Sequence, residues 1–136
     1  MNARLLCAMV LAACVAGAGA QPLPVEQSGG VSWRCGGIGV EERDALAKME
    51  PGSNLKVVFA AGAQGEYVAN VGVTLTEGKG AAVKFVAQGP ICLINAPAGR
   101  YRVEASFGDA TRGVSTTLAK DPPAPVMVVI RFPELD

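Results

Sequence analysis

The chain has no histidine among its 136 residues. Histidine is the usual general base near neutral pH, the base of Ser-His-Asp and Cys-His catalytic sites, and the commonest metal ligand. Its absence excludes the catalytic centres and the metal sites that depend on histidine. A catalyst built from this chain would depend on carboxylates, lysine, tyrosine or serine. We therefore expect a protein that is not an enzyme and that binds no cofactor and no metal.

The chain also has no excess of charge of either sign. Twelve Lys and Arg residues balance twelve Asp and Glu residues, and neither set forms a run. Nucleic acids bind clustered basic residues, often interleaved with aromatic side chains, and aromatic residues make up 5% of this chain. We expect no nucleic-acid partner.

The chain lacks an apolar stretch long enough to cross a membrane. Its longest one, Leu5 to Val15, is about half of the roughly 20 residues that a spanning helix needs. It follows the positively charged Arg4 and precedes Ala18-Gly19-Ala20, the small-residue pattern of a cleavage site. We interpret residues 1–20 as an export signal cut between Ala20 and Gln21, and expect no integral membrane span.

A second interpretation of the same segment is a lipid anchor. Leu11-Ala12-Ala13-Cys14 resembles a bacterial lipobox, in which Cys14 would carry lipid and become the new N-terminus. This would place the protein on a membrane instead of free in the periplasm or outside the cell. The alternative leaves a very short apolar core and ignores the cleavage site at Ala20.

The chain has four cysteines, and two of them, Cys7 and Cys14, lie in the export signal and are removed with it. Cys35 and Cys92 remain, and an even pair in an exported, oxidising compartment is typical of a disulfide. The alternative is two buried thiols that never meet.

The mature chain alternates between apolar and polar residues. Tyr101, Val103, Ala105 and Phe107 would share one face of a strand, because side chains alternate across a strand with period two. Similar strands, separated by Gly and Pro turns, recur to residue 132; one of them is a long strand from Glu66 to Thr76, with Tyr67 and Val71 on the same face. We predict about seven or eight strands in an antiparallel all-β sandwich over residues 31–136. One short peripheral helix, Val40 to Met49, interrupts them, and residues 21–30 form a flexible leader.

Two glycine- and carboxylate-containing motifs invite functional interpretations. Gly37-Ile38-Gly39 precedes the predicted helix, but Glu41 and Glu42 put negative charge where a phosphate would sit. The better interpretation is a turn that precedes a helix whose dipole is stabilised by Glu41 and Glu42 in its first turn. Asp109 and Asp121 lie in predicted loops without the spaced partners of a calcium site.

Three further features have alternative interpretations. Trp33, the single tryptophan, is more typical of a core plug than of a ligand platform. Arg100 and Arg102 would share an outer face with Glu104, which favours a solvated mixed-charge face over an anion site. Val126 to Ile130 predicts a central or paired strand; as an exposed edge it could recruit a partner.

The segment from Gly89 to Val103, Gly-Pro-Ile-Cys-Leu-Ile-Asn-Ala-Pro-Ala-Gly-Arg-Tyr-Arg-Val, resembles the late strand–turn–strand of carboxypeptidase-regulatory-like domains. The chain also resembles a group of uncharacterised exported bacterial proteins. In them, a helix start similar to Gly36 to Arg43 precedes a strand similar to Asn54 to Phe59. The resemblance implies a transthyretin-like or immunoglobulin-like sandwich and a non-catalytic accessory or binding domain. Transthyretin-like enzymes of purine pathways depend on histidines, so their activity does not carry over.

The sequence therefore predicts a non-enzymatic exported binding or accessory module of the bacterial cell envelope. Its partner is expected to be an envelope protein or a small ligand. The alternatives are a lipid-anchored structural or assembly factor and a small hydrolase without histidine.

Overall fold

The computed structural model describes residues 23–133. Within them lie ten strands and one α-helix, followed by a 3₁₀ turn: β1 Glu26–Ser28, β2 Val31–Gly36, α1 Val40–Met49, the 3₁₀ turn Glu50–Gly52, β3 Leu55–Ala61, β4 Glu66–Tyr67, β5 Val71–Glu77, β6 Ala82–Ala87, β7 Ile91–Asn95, β8 Gly99–Phe107, β9 Ala110–Leu118 and β10 Val126–Phe132.

The strands form two sheets. The first has the order β1-β2-β7-β3-β10, with β4 also pairing with β3, and the second has the order β6-β5-β8-β9. The inner faces of both sheets contribute to one apolar core, centred on residues such as Phe59, Leu75 and Val103. The all-β sandwich with one short helix is confirmed.

One strand pair departs from the predicted antiparallel arrangement. β10 runs parallel to β3, with Val126 beside Leu55 and Phe132 beside Ala61. The chain leaves β9 in the second sheet and crosses to the first through the proline-containing segment 119–125. A crossover between sheets is free of the antiparallel geometry that a tight hairpin imposes. The backbone N–H of Val126 then donates to the carbonyl of Asn54 (3.0 Å), which sets the register.

The predicted long strand from Glu66 to Thr76 is two strands. β4 pairs with β3, whereas β5 belongs to the other sheet. Between them Asn70 has φ 58°, a left-handed conformation that asparagine tolerates. Tyr67, predicted to share a buried face with Val71, is instead 57% exposed.

The helix α1 covers the outer face of the first sheet. Leu46 is buried against Val58, Ile91 and Leu93 in a second, smaller apolar cluster. This position agrees with the prediction of a peripheral helix. In the segment predicted as a flexible leader, β1 pairs with β2 through the Gly29-Gly30 turn.

Candidate functional site

Asn54 organises one end of the sandwich. It is 2% exposed, and its Nδ2 donates to the carbonyls of Ala96 (2.6 Å) and Ala119 (3.1 Å). Its Oδ1 accepts from the backbone N–H of Ala96 (3.1 Å). A buried amide that forms these bonds offsets the cost of its own desolvation. Asn54 thus joins the β7–β8 corner to the β9–β10 loop.

Tyr101 fixes the same β7–β8 corner from the other side. Its hydroxyl donates to the carbonyl of Pro97 (2.7 Å) and lies 3.5 Å from a carboxylate oxygen of Glu77. Burial raises the pKa of the Tyr101 hydroxyl above its ordinary value, and the negative charge and hydrogen bond of Glu77 raise that pKa further. The Pro97 turn is therefore held by a buried, protonated tyrosine.

An open cleft of about 690 Å³ lies at this end of the sandwich. Its walls are the β1–β2 turn, the β7–β8 corner and the start of the β9–β10 loop, with Asn54 behind them. Loops on a rigid sandwich are common places for binding sites. The residues that line it are 27–32, Asn54, 95–98, Lys120 and Asp121.

The cleft presents mixed polar chemistry. One cation, Lys120, and one anion, Asp121, stand beside each other at its rim, and both are exposed. Asp121 has φ 49°, which turns the backbone sharply there. Amide and hydroxyl side chains such as those of Gln27 and Asn95 add donors and acceptors. This arrangement can hydrogen-bond a polar ligand without net charge.

Most residues of the cleft did not stand out in the sequence, and Asp121 was considered only as a loop carboxylate for calcium. Asn54 and Asn95 resemble ordinary turn or strand-end residues, and Lys120-Asp121 resembles a loop start. A local signal exists only for Asn54, which follows Ser53 at the point where helical periodicity gives way to a strand. The hydrogen bonds that give Asn54 its role span 42 and 65 residues, so the local pattern contains no trace of them.

The predicted disulfide is confirmed. Cys35 and Cys92 are bonded and face each other in the β2–β7 register. Cys92 lies in the buried apolar core, and the partly buried Cys35 packs against that core. The predicted cleavage residues Ala20 and Gln21 and the alternative lipidation residue Cys14 lie outside the described residues.

Trp33 closes one side of the core. Its ring stacks on Phe85 of the other sheet, with centroids 4.5 Å apart and an interplanar angle of 15°. Both rings are half-buried against the core. The contact agrees with the interpretation of Trp33 as a core plug.

Glu42 occupies the position that a phosphate-binding loop would need. Its Oε1 accepts from the backbone N–H groups of Gly37 (3.0 Å) and Ile38 (3.2 Å). These are the donors that an anion would use. Over residues 23–133, no group of three or more His, Cys, Asp or Glu side chains could hold a metal ion, near Asp109 and Asp121 or elsewhere.

The last strand, β10, is paired but lies at an edge of the first sheet. Its outward side chains Met127 and Val129 are 60% and 53% exposed. The one charged side chain of β10, Arg131, folds back to donate to the carbonyls of Gly62 and Ala63. Strand β9 of the other sheet packs alongside β10 without a hydrogen-bonded ladder between them.

Across the described range 23–133, no helix is long and apolar enough to cross a membrane. No protein-family model matches the chain, and no curated protein matches it. The resemblance to carboxypeptidase-regulatory-like domains therefore remains a prediction from its motifs.

Proposed function

We propose that this protein is a non-enzymatic, exported binding module of the bacterial cell envelope. Its ligand is a small polar molecule without net charge, taken into the cleft at the Asn54 end of the sandwich. The observation that carries the proposal is the cleft itself, two of whose three walls, the β7–β8 corner and the β9–β10 loop, are tied together by the buried Asn54 side chain.

The rigidity of the cleft supports a binding role. Asn54 and Tyr101 fix the β7–β8 corner, and Asn54 also fixes the β9–β10 loop. A preorganised site spends less free energy on ordering when a ligand binds. The balance of Lys120 against Asp121 favours a neutral or zwitterionic ligand over a strongly charged one.

The disulfide supports export. Disulfides persist in oxidising compartments such as the periplasm and are rare in the cytosol. The bond between Cys35 and Cys92 agrees with an export signal at residues 1–20. The motif resemblance to uncharacterised exported bacterial proteins supports the same location.

Ligand-observed NMR on the purified protein tests the cleft. We name N-acetylglucosamine, maltose and dialanine as probes, because they are polar and carry no net charge. Ala98 is exposed and lines the cleft, so Ala98→Trp places a large ring in it. Ala47 is exposed on α1, and Ala47→Trp adds the same ring elsewhere.

We expect at least one probe to bind to the wild type and to Ala47→Trp, and not to Ala98→Trp. Absence of binding by all three probes would contradict the proposed ligand class. Equal binding to both variants would contradict the cleft as the site. Conversion of a probe into a product would contradict the non-enzymatic role and favour the small hydrolase.

Cell fractionation tests the proposed location. We expect the wild type and Cys14→Ser to appear in the same periplasmic or secreted fraction, with Gln21 as the N-terminal residue of both. Membrane attachment that Cys14→Ser abolishes would instead establish the lipid-anchored alternative. Recovery of the uncut chain from the cytosol would contradict export.

A further inference from the structure

The outer face of the second sheet carries polar side chains in register across its strands. Arg102 on β8 lies between Thr76 on β5 and Ser115 on β9. Two residues further back along β8, Arg100 lies opposite Thr117. The two arginines are therefore about 7 Å apart along the strand, each next to a hydroxyl group.

Arg102 is held in a defined place. Its Nε donates to Oε1 of Glu104 (2.9 Å), and its guanidinium lies over Gly113. A Cβ at Gly113 would come 2.5 Å from Nη2 of Arg102, so glycine makes room for the guanidinium on the face of the sheet. The Nη groups of Arg102 have no partner among residues 23–133, and neither has the guanidinium of Arg100.

These arginines border a shallow groove of about 760 Å³, lined by Gly78, Ser115 and Thr117 among others and by no carboxylate. With Arg102 paired to Glu104, the two arginines and this carboxylate leave a net positive charge beside the groove, carried by Arg100, although the whole chain has equal numbers of basic and acidic residues. Guanidinium groups recognise carboxylates through paired hydrogen bonds, and neighbouring hydroxyls suit the hydroxyls of a sugar.

We propose that this groove binds an acidic polysaccharide, with Arg100 and Arg102 each holding a carboxylate of the sugar chain. The face has no aromatic stacking platform of the kind that single-stranded nucleic acids use. It has no apolar row to enter a bilayer, Val86 being its one exposed large apolar residue. The proposal rests on the proposed export, which brings the chain to envelope polysaccharides, but not on the cleft.

Titration of the purified protein with polygalacturonate at low salt tests the proposal. Arg100→Gln and Arg102→Gln each remove one charge-assisted contact, and we expect each to weaken binding by about tenfold or more. Arg112→Gln is the matched control, because Arg112 is exposed on β9 and its register places it on the opposite face. We expect it to change affinity by less than about twofold.

Gly113→Ala tests the placement of Arg102 without changing any charge. The added methyl must displace the guanidinium, and we expect a several-fold loss of polygalacturonate affinity in a folded protein. Unchanged polygalacturonate affinity in Gly113→Ala would contradict the placement of the Arg102 guanidinium over Gly113.

Other ligands and a cleft variant separate this site from its rivals. Neutral dextran and vesicles containing phosphatidylglycerol are expected not to bind. Ala98→Trp, which obstructs the cleft, is expected to bind polygalacturonate as the wild type does. The test of the groove therefore does not depend on whether the cleft binds a ligand. Absence of polygalacturonate binding, equal loss in all three arginine variants, or preference for vesicles would overturn the proposal.

Discussion

The side chain of Asn54 and the backbone of Ala96 exchange two hydrogen bonds, one in each direction. Nδ2 of Asn54 donates to the Ala96 carbonyl (2.6 Å), and the Ala96 N–H donates to Oδ1 (3.1 Å). The side-chain amide thus pairs with the corner as a neighbouring strand would. This pairing lets the corner and the β9–β10 loop form the walls of one cleft.

Replacing Asn54 is expected to destabilise the whole fold. Asn54→Asp keeps the shape but loses the N–H donors, which leaves the carbonyls of Ala96 and Ala119 unpaired. We expect a loss of about 2–3 kcal/mol in the free energy of unfolding, measured by urea denaturation with an unchanged slope. Asn95→Asp is the control, since Asn95 is exposed. Similar small losses for both variants would contradict the role of Asn54.

Gly89 is predicted to tolerate no side chain. A Cβ there would lie within 2.5 Å of the Cα of Gly36 and against its carbonyl, and backbone of a paired strand cannot move aside easily. We expect Gly89→Ala to lower the unfolding free energy by about 2–3 kcal/mol. Gly52→Ala meets no atom within 4 Å and serves as the control. A Gly89→Ala protein as stable as the control would show that the Gly89 turn has room for a methyl.

The Cys35–Cys92 bond is expected to contribute strongly to stability. It closes a loop with a sequence separation of 57, for which chain entropy gives roughly 4 kcal/mol as an upper figure. The Cys35→Ala, Cys92→Ala double variant should lose up to this amount in urea denaturation. Peptide mapping of the exported wild type without reductant should recover the two cysteine peptides joined. Two free thiols would contradict the bond.

We expect the raised pKa of Tyr101 to lower the stability of the fold at alkaline pH. Its raised pKa means that the unfolded chain gives up the phenolic proton first, so stability falls as pH rises above about 10 and is unaffected below that value. Tyr101→Phe should cost about 1 kcal/mol at pH 8, through the lost bond to Pro97, and should weaken the alkaline decline. Urea midpoints between pH 8 and pH 11 measure both effects.

The control for this experiment is Tyr67→Phe, because the Tyr67 side chain is exposed. This variant should keep the alkaline decline of the wild type. An identical pH profile for wild type and Tyr101→Phe would contradict the raised pKa.

Local patterns predicted much of this fold. Strict alternation identified the strand from Tyr101 to Phe107. The helix that Leu46 anchors was identified by acidic residues in its first turn, a lysine near its end and the Pro51-Gly52 stop that follows. The break at Asn70 was missed because apolar residues keep period two across it. The alternating pattern reports which residues are buried, and it does not report to which sheet they belong.

The parallel β3–β10 pair and the cleft were missed for a shared reason. Both depend on contacts between distant segments: Val126 with Asn54, and Asn54 with Ala96 and Ala119. Composition and spacing along the chain carry no record of such contacts. The sequence placed Arg100 and Arg102 on one outer face with Glu104 and favoured a solvated face over an anion site. The space that Gly113 leaves for the Arg102 guanidinium depends on the β8–β9 register, which local patterns do not contain.

Amide chemical-shift mapping tests the binding role most directly. Isotope-labelled protein is titrated with whichever of N-acetylglucosamine, maltose or dialanine binds. We expect shifts concentrated at the β1–β2 turn, at residues 95–98 and at Lys120, with the β8–β9 face unchanged. Shifts absent from these three segments, or no shift with any of the three probes, would contradict binding in the cleft.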